Sequence, residues 1–294
     1  MPDHRTLTLK DNRVLSYAEY GDPTGCPVIG FHGMPGSRYV LKSADEAARG
    51  AEVRLISPER PGYGCSQPDS RGTLLGYSAD VLQLADALGL DRFAVMGVSG
   101  GGPYAVACAY QLSQRLSTAA VVSGIGPLSL PHSTRDMQRP NRIMFTIGRF
   151  SPTLTGFLLP RLIKSSLPTL DKHVQAGTSP SSSISPEVFA IMAADQCEAI
   201  RAGGQGIVFD MKMLWRPWGF ELADIRTPVQ LWHGEADDLA PAQLAHYIAE
   251  RIPNCQATFF PGEGHTDPLT RHIHDIMASL ARPAQQPRPE EIRS

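Results

Sequence analysis

Gly97-Val98-Ser99-Gly100-Gly101 fits the pattern G-x-S-x-G, a tight turn that holds a serine hydroxyl where it can attack a carbonyl. In this composition the five letters arise by chance roughly 0.2 times, so the flanking residues decide. Residues 92–96 read as a strand, and Gly102-Pro103-Tyr104-Ala105-Val106-Ala107 reads as the opening of a helix. That strand-turn-helix setting holds the serine in a strained backbone conformation and needs small neighbours at Gly97 and Gly101. It also points the unpaired N–H groups of the helix start toward charge developing on a substrate. The bland alternative is a Gly-rich turn with an incidental serine. A phosphate-binding loop would need G-x-x-x-x-G-K-[ST] or G-x-G-x-x-G, and neither spacing is present.

A serine hydroxyl is a weak nucleophile until a base accepts its proton. Of the nine histidines, His265 is the best placed, in Pro261-Gly262-Glu263-Gly264-His265 between the last strand and the last helix. Its loop lies at the C-terminal edge of the sheet, where Ser99 also lies and where sites of open α/β sheets assemble. His32 and His233 end strands before a glycine and are expected to hold loops by hydrogen bonding. His4, His132, His173, His246, His272 and His274 read as surface groups. The acid that orients the base is expected in Trp232-His233-Gly234-Glu235-Ala236-Asp237-Asp238; Asp237 is preferred, and spacing alone leaves Asp238 open. Two backbone donors must face the oxyanion. Gly100 is one. In His32-Gly33-Met34-Pro35-Gly36-Ser37 the proline lacks an N–H, which makes the Met34 amide the other, with Ser37 placed to cap the next helix.

Positioning these groups requires a sheet with its loops at one edge. Residues 6–10 and 14–20 read as a hairpin around Asp11-Asn12-Arg13. Short apolar runs then follow at 28–31, 53–57, 93–96, 119–122, 229–232 and 257–260, most of them leading through Gly- or Pro-rich turns into helical periodicity. This is the repetition of a doubly wound, mostly parallel α/β sheet. Three helices repeat apolar residues at three and four: Leu74 to Leu88, Leu244 to Ile252, and Leu269 to Leu280. The rhythm stops between residues 126 and 224, read as a helical insertion after the sixth strand. Within it, residues 178–186 are expected to be an exposed loop. Residues 1–125 and 225–282 would then form the core, and residues 283–294 a flexible Pro/Gln/Glu-rich tail.

The 294 residues, 42% hydrophobic and 19% charged, suffice for a self-supporting core. A formal charge of −2 gives no electrostatic reason to expect nucleic acid or an anionic membrane as the main partner. Five cysteines without C-x-x-C spacing indicate neither a disulfide framework nor a zinc site, so a reducing, cytoplasmic setting is the default. The N-terminal residues lack the apolar stretch of a signal peptide. The most apolar region, residues 143–163, is broken by Gly148, Arg149, Pro152, Gly156 and Pro160, which is unlike a membrane span.

With Ser99, Asp237 and His265 in that chain order beside His32-Gly33-x-Pro35, the sequence resembles the α/β-hydrolase superfamily from about residue 5 to 282. Arg60-Pro61-Gly62-Tyr63-Gly64-Cys65-Ser66 matches a further family block, a turn bordering the active site; the family often has Asp where this chain has Glu59. The resemblance implies Ser99 as nucleophile, His265 as general base and then acid, Asp237 as its orienter, and the Met34 and Gly100 amides as the oxyanion hole. It implies that residues 126–224 form a helical cap, and that no cofactor or metal is needed. A serine at position 99 argues against the dehalogenase and epoxide hydrolase branches, which have aspartate there. The Gly-Val-Ser-Gly-Gly elbow differs from the G-G-S-W-G of proline iminopeptidases.

The expected activity is ester or related acyl hydrolysis through an acyl-enzyme. Carbon-carbon bond hydrolysis, lactonase activity and cofactor-independent oxygenation use the same scaffold. A ligand-binding receptor with vestigial hydrolysis and a catalytically dead interaction protein are the rivals from other classes. Met144, Phe145, Phe150, Phe157, Met192, Met211, Met213, Trp215, Trp218 and Phe220 make the insertion apolar enough to roof a small apolar acyl substrate, although most such residues in a folded chain pack against one another. Arg135, Arg139, Arg142, Arg149 and Arg161 read as solvated surface. The oligomeric state is not legible.

Overall fold

The computed structural model describes residues 4–180 and 184–281. The expected tail at 283–294 lies outside the described residues, as does the middle of the expected loop at 178–186.

Among the described residues eight strands form one sheet: β1 (Arg5–Thr8), β2 (Val14–Gly21), β3 (Cys26–Phe31), β4 (Val53–Pro58), β5 (Phe93–Val98), β6 (Leu116–Val122), β7 (Val229–Gly234) and β8 (Cys255–Phe260). Their order across the sheet is β1-β2-β4-β3-β5-β6-β7-β8. The first two strands pair antiparallel as a hairpin and β2 pairs antiparallel with β4; every later pairing is parallel. All six apolar runs read from the sequence lie in the parallel strands. β1 ends at Thr8, earlier than its alternation implied, because the Leu9 amide turns to the Arg13 carbonyl (2.8 Å) and closes the hairpin loop.

The central strands β3 to β6 are buried at most positions because both faces are covered, whereas the edge strands β1 and β8 are largely exposed. Ile29, Val95, Ala119 and Val121 face one layer; Val28, Ala94, Met96, Ala120 and Val122 face the other. The first layer contains α2 (Leu74–Ala87), α3 (Gly102–Gln111) and α8 (Ala242–Arg251); the second contains α1 (Asp45–Gly50) and α10 (Ile273–Ala281). Thr73 caps α2 by accepting from the Gly76 amide (2.9 Å). Its Val81 and Leu84 are fully buried, each contributing ~1.5–3 kcal/mol relative to exposure. The last periodic stretch divides at His272 into α9 (Asp267–Arg271) and α10, with the His272 ring stacked on Phe260 and its Nε2 on Glu263 (3.0 Å).

Between β6 and β7 lie α4 (Arg139–Phe150), α5 (Pro152–Gln175), α6 (Pro186–Ala199) and α7 (Gln205–Leu214). Close approach of α5 to the start of α7 requires glycine, since a Cβ on Gly204 would stand 1.8 Å from the Gly156 carbonyl oxygen. No helix among the described residues is long and apolar enough to cross a membrane.

Candidate active site

Ser99 follows β5 directly, with φ +53°, and a single 3₁₀ turn over Ser99–Gly101 leads into α3. Two glycines make this turn sterically possible. A Cβ on Gly97 would lie 2.3 Å from the Gly101 carbonyl oxygen, and one on Gly101 would lie 2.4 Å from the Phe31 carbonyl oxygen at the end of β3. The Ser99 carbonyl accepts from the Ile125 amide (3.0 Å), tying the turn to the chain beyond β6.

His265 and Asp237 reach this serine from loops after β8 and β7. The His265 Nε2 is 2.9 Å from Ser99 Oγ, and Nδ1 is 2.7 Å from Asp237 Oδ2. A neutral imidazole satisfies both bonds when Nδ1–H donates to the carboxylate and Nε2 accepts from the serine hydroxyl. The other oxygen of Asp237 accepts from the Leu239 (2.9 Å) and Ala240 (2.8 Å) amides, so both carboxylate oxygens are engaged and the group is oriented. The His265 loop is pinned by the Gly264 amide on Asp267 Oδ2 (2.7 Å), and it joins the Asp237 loop through the Ala236 amide on the Glu263 carbonyl (2.9 Å). Asp237 is buried, whereas Asp238 is exposed and bonds Gln138. Of the two candidate acids, Asp237 is the one brought to His265.

The Met34 and Gly100 backbones stand face to face: a Cβ on Gly100 would meet Met34 N at 3.0 Å and Met34 Cβ at 2.7 Å. The orientation of the Met34 N–H follows from its own peptide plane. The Gly33 carbonyl in that plane accepts from His32 Nδ1 (2.8 Å) and Arg60 Nη2 (2.7 Å). In a trans peptide the N–H points away from the carbonyl, so the Met34 donor is turned from Arg60. His32 Nε2 in turn accepts from the Arg60 amide (3.0 Å). Burial, with the Arg60 guanidinium alongside, holds the His32 imidazole well below its usual pKa, which suits a neutral ring that donates at one nitrogen and accepts at the other. His233 also holds a loop, its Nε2 donating to the Ala240 carbonyl (2.7 Å).

Around this loop Arg38, Asp195, Glu198 and Asp210 carry polar contacts that nothing in the sequence marks. The fully buried Arg60 pairs with Asp210 of α7, whose carboxylate also accepts from Tyr63 (2.6 Å) and Tyr104 (2.7 Å). Arg38 pairs with Glu59 and with Glu198 of α6. Ser37, expected to cap a helix, instead donates its hydroxyl to Asp195 of α6 (2.7 Å), and the same oxygen accepts the Ser37 amide. Burial pushes the Asp195 carboxyl up to about 7. Glu59, Cys65 and Glu198 could offer three ligand atoms within 4.8 Å of one another, but Arg38 already pairs with both carboxylates, Arg201 pairs with Glu198 (3.0 Å), and burial pushes the Cys65 thiol up. A surface cavity of about 440 Å³ between Arg5, Glu19, Lys42, Asp45 and Arg49 includes none of the residues around Ser99.

The sequence model of the family described as alpha/beta hydrolase fold matches residues 27–271, and the chain belongs to that family. It is a hydrolase of that family with esterase-like relatives. The uncharacterised hydrolase YcgS of Bacillus subtilis is 23% identical over 274 residues, covering 88% of this chain and 90% of that protein. The pimeloyl-[acyl-carrier protein] methyl ester esterase of Aromatoleum aromaticum is 28% identical over 232 residues, covering 76% and 85%. Among solved structures, a bromoperoxidase from Bacillus anthracis superposes with a TM-score of 0.70 at 19% identity, covering 95% of this chain and 98% of that one. At that identity it speaks to the fold alone.

Proposed function

We propose that the chain is a serine hydrolase acting on carboxylic esters or related small, apolar acyl substrates through an acyl-enzyme. The observation that carries this reading is the unbroken hydrogen-bonded line Asp237–His265–Ser99, built from three separate loops. His265 Nε2 accepts the hydroxyl proton as Ser99 Oγ attacks the acyl carbon. The oxyanion that forms is met by the Met34 and Gly100 amides, each such donor being worth about 3 kcal/mol in the transition state. Collapse of the tetrahedral adduct breaks the bond to the alcohol, which leaves with the proton held on Nε2. A water then gives its proton to His265 and attacks the acyl carbon, releasing the carboxylic acid and restoring the serine hydroxyl. Asp237 keeps the imidazole in the required tautomer and stabilises its cationic form.

In this reading residues 1–125 and 225–282 are the core and residues 126–224 are a cap. The buried pairs Arg60–Asp210 and Ser37–Asp195 support the cap assignment, since each ties an insertion helix to a loop beside Ser99. The free cysteines fit a reducing, cytoplasmic setting. The test is a panel of p-nitrophenyl esters, lactones and β-diketones assayed with wild type and Ser99→Ala. The variant is expected to fold and to lose ester hydrolysis by roughly 10⁴- to 10⁶-fold. Retained esterase activity would remove the assignment.

A further inference from the structure

Helices α4 and α5 each bury one face, which includes Phe145 on α4 and Ile163 on α5, and each leaves further large apolar side chains exposed. On α5, Leu154, Phe157, Leu158 and Leu162 recur at three and four and are exposed, whereas Thr155, Gly156, Pro160 and Ile163 occupy the buried face. On α4, Ile143 and Phe150 stand two turns apart and are also exposed. Phe150 is 78% exposed, Leu162 64% and Ile143 59%. Only Ser151 separates the two helices, so the stripes meet at that corner. The opposite side of α5 packs on α6 and α7, which leaves the stripe facing away from the rest of the molecule.

The charge around this stripe is one-sided. Residues 139–166 contain Arg139, Arg142, Arg149, Arg161 and Lys164 and no Asp or Glu, in a chain whose formal charge is −2. None of the five forms an ion pair among the described residues; Arg149 lies over Phe150 and Trp215, and Arg161 over Phe157. Averaging over the whole chain conceals this segregation, which is why composition pointed away from an anionic partner.

We propose that the outer face of α4 and α5 docks on an anionic lipid surface, with the apolar side chains entering the acyl boundary and the five cations meeting headgroups. An apolar stripe flanked by Arg and Lys is the pattern of helices that lie in a bilayer interface. A second copy of this chain is disfavoured by the same charges: in a two-fold contact the patch meets itself, and ten unpaired cations would be brought together.

The test is flotation of the full chain with phosphatidylcholine vesicles, alone or with about one-third phosphatidylglycerol. Wild type is expected to float on the anionic vesicles, to float at least roughly tenfold less on neutral ones, and to be released at ~0.5 M salt. The triple variant Arg149→Gln, Arg161→Gln, Lys164→Gln is expected to bind on the order of a hundredfold more weakly, at about fivefold per charge. Phe157→Ser with Leu162→Ser should also lose binding. Matching circular-dichroism melts check that each variant is folded, and Leu162→Asp alone repeats the apolar arm should the double variant melt early. Equal flotation on neutral and anionic vesicles, or a folded charge variant that floats as wild type does, would overturn the proposal. So would a wild-type dimer, seen by light scattering, that the apolar variant splits while vesicles bind neither form.

Discussion

Ser99 occupies a left-handed conformation that costs a non-glycine residue about 1–3 kcal/mol, and it persists because its surroundings leave no alternative. Gly97 and Gly101 permit the turn, and the Ile125 amide on the Ser99 carbonyl holds it. This backbone fixes the direction of the Ser99 Cα–Cβ bond, and the hydroxyl is held toward His265 by its hydrogen bond to Nε2 (2.9 Å). The division of labour between the two adjacent acids can be measured. Asp237→Asn is expected to lower kcat about 10⁴-fold, because the amide cannot hold the required imidazole tautomer; Asp238→Asn, on a solvated side chain bonded to Gln138, should leave kcat within about twofold. Steady-state assay of both with one soluble ester distinguishes them. The approach of His265 to Ser99 could be anticipated because each follows a strand end on one edge of the sheet; the Met34 and Gly100 amides remain part of the proposed oxyanion hole. The choice between Asp237 and Asp238 could not be anticipated, since neighbouring loop residues differ only in which side of the backbone they leave.

At the scale of elements, the loop after β3 is held by a chain of contacts that begins in the insertion. Asp210 on α7 fixes Arg60, Arg60 fixes the Gly33 carbonyl, and that carbonyl's peptide carries the Met34 N–H. Asp210→Asn leaves the buried Arg60 charge uncompensated and is expected to cost about 3–5 kcal/mol in urea denaturation. Asp224→Asn, at an exposed site, should stay within ~0.5 kcal/mol. The strands and helices of the core were legible as runs and periods, because a covered parallel strand and a one-sided helix each write their burial into adjacent residues. The Arg60–Asp210 and Ser37–Asp195 links were not, because the partners are separated by 150 and 158 residues and nothing local in either segment marks the other. Likewise the period of the last helix runs through His272 and gives no sign of the break there.

On the scale of the whole molecule, the buried carboxyl of Asp195 couples the fit of α6 against the β3 loop to pH. Burial raises its folded pKa to about 7, above the ordinary carboxylate value of about 3.9. The folded state therefore binds the proton more tightly. Its stabilising contribution is complete below about pH 4 and is lost as pH rises through about 7. Wild type should lose melting temperature between pH 5 and pH 8 relative to Asp195→Asn, which keeps acceptors for Ser37 without a titrating proton; parallel profiles would contradict this origin. The convergence of residues 99, 237 and 265 is also a property of the entire fold, since β5, β7 and β8 must end at one edge with their loops tied together. It is tested most directly by treating the protein with an aryl fluorophosphonate and mapping the adduct by mass spectrometry. A single adduct on Ser99 is expected, formed at least ~10³-fold more slowly in His265→Ala; a wild-type protein that stays unlabelled, or labels at the same rate without the imidazole, would contradict an activated serine.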